Sequence, residues 1–161
     1  MTILVTGGAG YIGAQMSHAL VDSGLIPIVL DDLSTGAREN VPQTAIFVEG
    51  DIGDAALLST LMQRHRIRAV MHFAAKTVVS ESAARPLEHY LTNTCKTRTL
   101  IEAAVDAGVP HFIFSSTASV YGEPVRAPIP DDDVCLPISP YGWSKLMAEQ
   151  ILADAAAAHD L

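Results

Sequence analysis

Tyr141 and Lys145 stand four residues apart in Ser139-Pro140-Tyr141-Gly142-Trp143-Ser144-Lys145, and a helix opened by that proline sets both side chains on one face. A phenol serves as a base near neutral pH only if its ordinary pKa of about 10 falls by some three units, about 4 kcal/mol of preference for the phenolate. Two nearby positive charges can supply this, since one at about 4 Å is worth up to a similar amount at an effective dielectric of about 20. Lys145 offers one charge, and an oxidised nicotinamide would offer the other. Thr117, at the end of Phe112-Ile113-Phe114-Ser115-Ser116, adds a hydroxyl able to hold the same substrate oxygen and relay its proton. Pairs of the form Y-x-x-x-K are common on solvated helices, so this one gains meaning only from a cofactor grip elsewhere in the chain.

Such a grip is written near the amino terminus. Thr6-Gly7-Gly8-Ala9-Gly10-Tyr11-Ile12-Gly13 follows the apolar Ile3-Leu4-Val5. Gly7, Gly10 and Gly13 repeat at every third position, and Gly8, Gly10 and Gly13 give G-x-G-x-x-G. The spacing suits a tight turn, close approach of a pyrophosphate, and packing of the next helix on the strand. The phosphates would meet the free N–H groups of a helix starting near Tyr11. Asp31 closes the next apolar run, Ile26-Pro27-Ile28-Val29-Leu30, at the distance where a carboxylate can hold a ribose 2′-hydroxyl and repel a 2′-phosphate. NAD is therefore favoured over NADP. The plainer alternative, given less weight, is that Asp31 and Asp32 merely cap a turn.

The elements that must carry these residues follow from hydrophobic period. Strands are expected at about 2–6, 26–30, 45–48, 69–73 and 112–114, alternating with helices. The first helix runs through Met16, Ala19 and Leu20 to a stop at Ser23-Gly24, and the second follows Asp54 with Leu57, Leu58, Leu61 and Met62 on one face. The third, a long one entered at Pro86, carries Leu87, Tyr90, Leu91, Leu100, Ile101 and Val105 and stops at Gly108. The last runs from Ser139-Pro140 to about His159. This is the rhythm of a doubly wound parallel sheet, an α/β Rossmann-type fold of about five strands. Its ligands lie at the carboxyl ends of the strands. Asp51 and Ile52 could frame an adenine, with Asp51 reading equally as an exposed turn residue, and Phe73, Ala74, Ala75 and Ser115 lie on the same rim. His72 and Lys76 read as structural.

Composition excludes other classes. The 161 residues make one domain, 49% hydrophobic and 17% charged, an ordinary globular mixture. A formal net charge of -8 argues against a nucleic-acid partner, which needs a basic face. Apolar runs are too short and too often interrupted to span a membrane. The amino terminus enters a strand at once, leaving no room for a signal peptide. Cys95 and Cys135 form no C-x-x-C pair, which fits a reducing, cytoplasmic setting. The six histidines show no ligand spacing, so no metal is expected, and Asp131-Asp132-Asp133 reads as a solvated loop.

Taken together, these segments resemble the extended short-chain dehydrogenase/reductase superfamily, and within it the UDP-glucose 4-epimerases. The glycine loop, Asp31-Asp32-Leu33-Ser34, Gly50-Asp51-Ile52, His72-Phe73-Ala74-Ala75, Val79-Ser80-Glu81-Ser82, Ser115 to Gly122 and Ser139 to Lys145 carry the likeness in order along nearly the whole chain. The resemblance implies Tyr141 as catalytic base, Lys145 as its electrostatic partner and Thr117 as the assisting hydroxyl. Tyr11, Ile12, Asp31, Asp51, Ile52, Phe73 and Ser115 would touch NAD. The implied reaction interconverts UDP-glucose and UDP-galactose through a transient 4-keto sugar. Related 4,6-dehydratases carry Asp-Glu after the position of Thr117, and UDP-glucuronate decarboxylases carry Glu at that of Ser119. Here those positions are Ala118 and Ser119, which disfavours both reactions.

Two departures stand out. Asn93-Thr94-Cys95-Lys96-Thr97 replaces the glycine of an Asn-x-x-Gly-Thr pattern with Lys96, and Thr77 stands where some members have a cofactor-reaching lysine. The family also continues into a smaller carboxyl-terminal domain that binds the nucleotide sugar. On this reading residues 1–161 are an NAD-binding domain, incomplete and lacking that substrate part, expected to bind NAD weakly and to turn over little sugar alone. An NAD-dependent sugar-nucleotide dehydrogenase or reductase and a non-catalytic NAD-binding fragment stay open as alternatives. The resemblance further implies a homodimer through helices 86–107 and 141–159.

Overall fold

The structure is a computed structural model and describes residues 1–161. Five parallel strands form one sheet: β1 Ile3–Thr6, β2 Ile28–Asp31, β3 Ile46–Glu49, β4 Ala69–His72 and β5 Phe112–Phe114, in the order β3-β2-β1-β4-β5. The helices are α1 Tyr11–Asp22, α2 Ala55–His65, α3 Val79–Ala84, α4 Pro86–Tyr90, α5 Lys96–Asp106 and α6 Pro140–Ala158. Strand order reverses at β1, between β2 and β4, so the crevice at the carboxyl ends opens where the glycine loop leaves β1. One core layer, with Leu4, Leu30, Leu58, Met62, Val70 and Leu100, lies under α2 and α5. The other, with Ile3, Val5, Val29 and Leu20, lies under α1. β1 and β2 are buried on both faces, which is why they read as continuous apolar runs.

Several expectations are corrected in detail. The inward face of α1 is Gly13, Ala14, Ser17 and Leu20, while Ala19 is exposed. Ser17 enters the interior because its hydroxyl donates to the Gly13 carbonyl at 2.8 Å, which satisfies the polar group and lets the small side chain pack closely. β2 starts at Ile28, two residues later than its apolar run, and includes Asp31. The long helix from Pro86 is interrupted by a π-helical turn, Leu91–Cys95, between α4 and α5, and α3 precedes it. Leu87 and Leu91 on that stretch are exposed, not core. Asp54 caps α2 by accepting from Leu57 N–H, and Ser139 caps α6 by accepting from Gly142 N–H, both as the sequence suggests. β5 bears no strand on its outer side, and Ile113 there is half exposed.

Candidate active site

The glycine loop is shaped by close approach. Gly7 adopts φ +69°, a region most side chains avoid, and a Cβ there would stand 2.5 Å from Ala74 N. A Cβ on Gly13 would overlap the Gly7 carbonyl, so α1 packs directly on the turn. α1 begins without a side-chain cap and without an acidic residue in its first turn. Its first helical hydrogen bond is from Ala14 N–H to the Gly10 carbonyl at 2.9 Å. The N–H groups of Tyr11, Ile12 and Gly13 thus stand at an uncompensated positive helix end, the setting an anionic diphosphate requires. Asp31 is nearly buried. Its Oδ2 accepts from Ala9 N–H at 2.9 Å and its Oδ1 from Leu33 N–H at 2.8 Å, which fixes the carboxylate between the end of β2 and the glycine loop. Asp32 is exposed and turns onto Ser34, accepting from its N–H at 2.9 Å and its hydroxyl at 2.6 Å, the behaviour of a turn cap.

The other rim residues fall where strand order places them. Phe73 N–H donates to the Thr6 carbonyl at 2.9 Å, and Ser115 N–H to the His72 carbonyl at 3.1 Å, so both follow directly from their strands. Ala74 packs beside Gly7, and Ala75 follows half-buried. Ile52 is buried in the α2 layer. Burial pushes the Asp51 carboxyl up, but the Lys96 ammonium, the Gly53 N–H and the Lys96 charge outweigh this and hold it below the usual range. Lys76 pairs with Glu88 at 3.1 Å and Glu81 at 3.8 Å, a structural role.

The first turn of α6 buries Tyr141 to 8% and Lys145 to 3% exposure. No carboxylate lies within ion-pairing distance of Lys145. Its ammonium instead sits 4.3 Å over the ring of Phe114. Burial pushes this lysine down to about 8, with Glu149 opposing. Thr117 is half-buried at the start of a 3-10 turn, Ala118–Tyr121, that packs on α6, and its hydroxyl accepts from Ser119 N–H at 3.2 Å. One end of the sheet thus combines a helix terminus with free N–H groups, a fixed carboxylate, and a buried phenol and ammonium on the helix against which the Thr117 turn packs. No group of three or more His, Cys, Asp or Glu side chains is arranged to hold a metal ion, and Asp131 and Asp132 are exposed in a loop.

Residues 3–161 match the NAD dependent epimerase/dehydratase family. The chain belongs to that family. It is similar to the UDP-glucose 4-epimerase of Azospirillum brasilense, with 54% identity over 159 residues, 99% of this chain and 46% of that protein. Among solved structures, the Thermotoga maritima UDP-glucose 4-epimerase with UDP-glucose superposes with a TM-score of 0.96 at 39% identity, over all of this chain and 53% of that one. The Brucella ovis UDP-glucose 4-epimerase in complex with NAD gives a TM-score of 0.96 at 42% identity, over 99% and 49%. The chain spans about half the length of the curated relatives it matches.

Within this epimerase/dehydratase chain, the residues that hold the phenol–ammonium pair in place come from distant elements. Asn93, buried in the π-helical turn, accepts from Lys76 N–H at 2.8 Å and donates to the Lys76 carbonyl at 2.9 Å and the Ser144 hydroxyl at 3.0 Å. The Ser144 hydroxyl in turn donates to the Tyr141 carbonyl at 2.7 Å. The loop after β4, the π turn and the start of α6 are thereby locked together beside Lys145. His89, fully buried with neither ring nitrogen hydrogen-bonded, lies edge-on to Tyr141 at 6.4 Å. The sequence marks Asn93 only as the start of an Asn-x-x-Gly-Thr pattern; the π turn that gives it its partners is not displayed there. Replacing Asn93 by Ala strands the Lys76 backbone groups and costs about 2 kcal/mol, to be read as a lower urea midpoint at unchanged slope.

Proposed function

We propose that this chain supplies the cofactor-binding and proton-transfer residues of an NAD-dependent nucleotide-sugar 4-epimerase acting on UDP-glucose and UDP-galactose. The observation that carries the reading is the buried Tyr141 and Lys145 on one face of α6, with no carboxylate paired to the ammonium, at the end of the sheet that also holds the glycine loop. The N–H groups of Tyr11, Ile12 and Gly13 would hold the diphosphate of NAD, Asp31 a ribose, and Asp51 and Ile52 the adenine, with Phe73, Ala74, Ala75, Ser115, Tyr141 and Lys145 lining the remainder. What a bound nicotinamide supplies is a reversible store for one hydride, so that oxidation at C4 and its reversal from the other face leave only inversion.

Tyr141 takes the proton of the sugar 4-hydroxyl and returns one to the same oxygen after the 4-keto sugar has turned over. Lys145 favours the phenolate by its charge, which burial strengthens. Thr117 holds the substrate oxygen and shortens the path of the proton. Ala118 and Ser119 offer no second acid or base, which limits the chemistry to C4. The exposed Leu87, Leu91, Trp143 and Met147 on the stretches 86–107 and 141–159 suit cover by a second copy, and gel filtration showing only monomer at micromolar concentration counts against a homodimer.

Proton NMR of UDP-galactose incubated with the mass-checked chain and NAD tests the reading. UDP-glucose signals without net NADH support the epimerase, and net NADH identifies a dehydrogenase instead. NAD binding without conversion restricts this chain to cofactor binding. The loop gives a separate test. A Cβ on Gly10 meets only the Gly7 carbonyl, at 3.3 Å, a tight contact that the loop relieves by shifting a few tenths of an ångström, so Gly10→Ala keeps the fold while the new methyl intrudes on the diphosphate. NAD affinity measured by calorimetry falls roughly tenfold to hundredfold, about 1.4 kcal/mol per tenfold, with little change in thermal stability; unchanged affinity contradicts the assignment.

A further inference from the structure

Lys96, which stands where the family pattern has glycine, is the first residue of α5 and reaches across to Asp51 beyond β3. Glu49 pairs in register with Asp31, so Asp51 lies two residues further out on the rim, one strand beyond the carboxylate assigned to the ribose. Asp51 Oδ1 accepts from Gly53 N–H at 2.7 Å, and Oδ2 receives the Lys96 ammonium. The Lys96 chain runs over Gly53, with Cγ 3.0 Å from the place a Gly53 side chain would start. The pair is not sealed: the Lys96 and Asp51 side chains keep 25% and 42% exposure. An acceptor and a donor therefore stand side by side on the rim, one strand beyond Asp31, where the dinucleotide reading sets the purine.

We propose that Lys96, held against Asp51 where the dinucleotide reading already sets the purine, makes this site accept a 6-oxo purine dinucleotide as well as the 6-amino one. The inference rests on the dinucleotide reading above. A carboxylate alone accepts from a 6-amino group but opposes a 6-oxo oxygen, two acceptors facing each other. An ammonium has three protons. With one committed to Asp51, another meets the 6-oxo oxygen while the carboxylate takes the adjacent ring N–H. With adenine, the carboxylate takes the amino hydrogen and Lys96 serves only to hold it in place.

Calorimetric titration of the chain with NAD and with nicotinamide hypoxanthine dinucleotide tests this, comparing the parent with Lys96→Met and Lys96→Arg. The parent binds both within about tenfold. Lys96→Met keeps NAD within about threefold but binds the hypoxanthine analogue at least tenfold more weakly, roughly the discrimination a base-edge pair provides, and Lys96→Arg restores it. Equal weakening of both dinucleotides by Lys96→Met, or no effect on either, overturns the proposal while leaving the NAD site standing. If the parent binds neither dinucleotide, the NAD reading falls and this inference with it. Circular dichroism of each variant confirms that the comparison is between folded chains.

Discussion

Lowering the pH from about 7 to about 4.5 removes about 2–3 kcal/mol of stability through one side chain, His72. The ring is buried between sheet and helix, its Nδ1 2.6 Å from the Thr6 hydroxyl and its Nε2 2.8 Å from the Thr97 hydroxyl. It stacks on Phe114 at 5.6 Å and 28°. Threonine hydroxyls can donate or accept, so either neutral tautomer is satisfied. Burial, and after it the charge of Lys145, push this histidine down to about 3. The unfolded chain binds the proton near pH 6.5 and the folded one does not. Stability is therefore full above about 6.5 and lost as pH falls towards 3, about 4–5 kcal/mol at the limit. That is a large share of the roughly 5–15 kcal/mol a domain possesses. Urea midpoints at the two pH values measure it, and His72→Asn flattens the profile by close to one proton. A residual slope belongs in part to His89, which burial also pushes down. An unchanged slope in the variant shows that His72 is not the source.

Much of this arrangement was legible in the sequence because it depends on local spacing. The glycines at 7, 10 and 13, the carboxylate of Asp31 and the pair Tyr141–Lys145 each belong to one strand–turn–helix unit, and Asp54 and Ser139 cap within three residues of themselves. Periodicity shows that a face is apolar but not what covers it. Leu87 and Leu91 keep helical spacing with Leu100 and Ile101, yet only the latter two reach the core. Ser17 was missed because its back-bond to Gly13 hides the hydroxyl. The π turn is set by Asn93 bonding to the Lys76 backbone and to Ser144, groups 17 and 51 residues away, a tertiary cause that local propensity does not register. Lys96 illustrates the same limit. The sequence marked it as a departure, but its partner Asp51 lies 45 residues away.

On the proposed epimerase reading, replacing Lys145 by Met raises stability at neutral pH by about 1–3 kcal/mol and lowers whatever conversion of UDP-galactose the chain supports by about 10²–10⁴-fold. The two effects have one cause, the burial of an ammonium without an ion pair. A pKa of about 8 in place of 10.5 means a depression worth about 3 kcal/mol in the charged form. The ammonium stem and the Phe114 ring 4.3 Å beneath it also make packing contacts that Met only partly replaces, which is why the gain is smaller than the shift alone. The folded pKa is lowered, so the unfolded chain binds more protons between about 8 and 10.5. The parent therefore gains stability as pH rises through that window, and the Met variant does not. Thermal unfolding at pH 7 and pH 10 separates the cases, each kcal/mol being worth roughly 2–4 °C at this size. If Lys145 were an ordinary packing residue, its loss would leave turnover in proportion to folded protein, and a shared fall in stability and activity would be the outcome. Opposite signs in the two measurements are the mark of a charge kept at a cost to the fold because the phenol of Tyr141 needs it. Tyr141→Phe supplies the control: on the same reading it removes the transferable proton and lowers that conversion in the same range, while leaving the Lys145 ammonium in place.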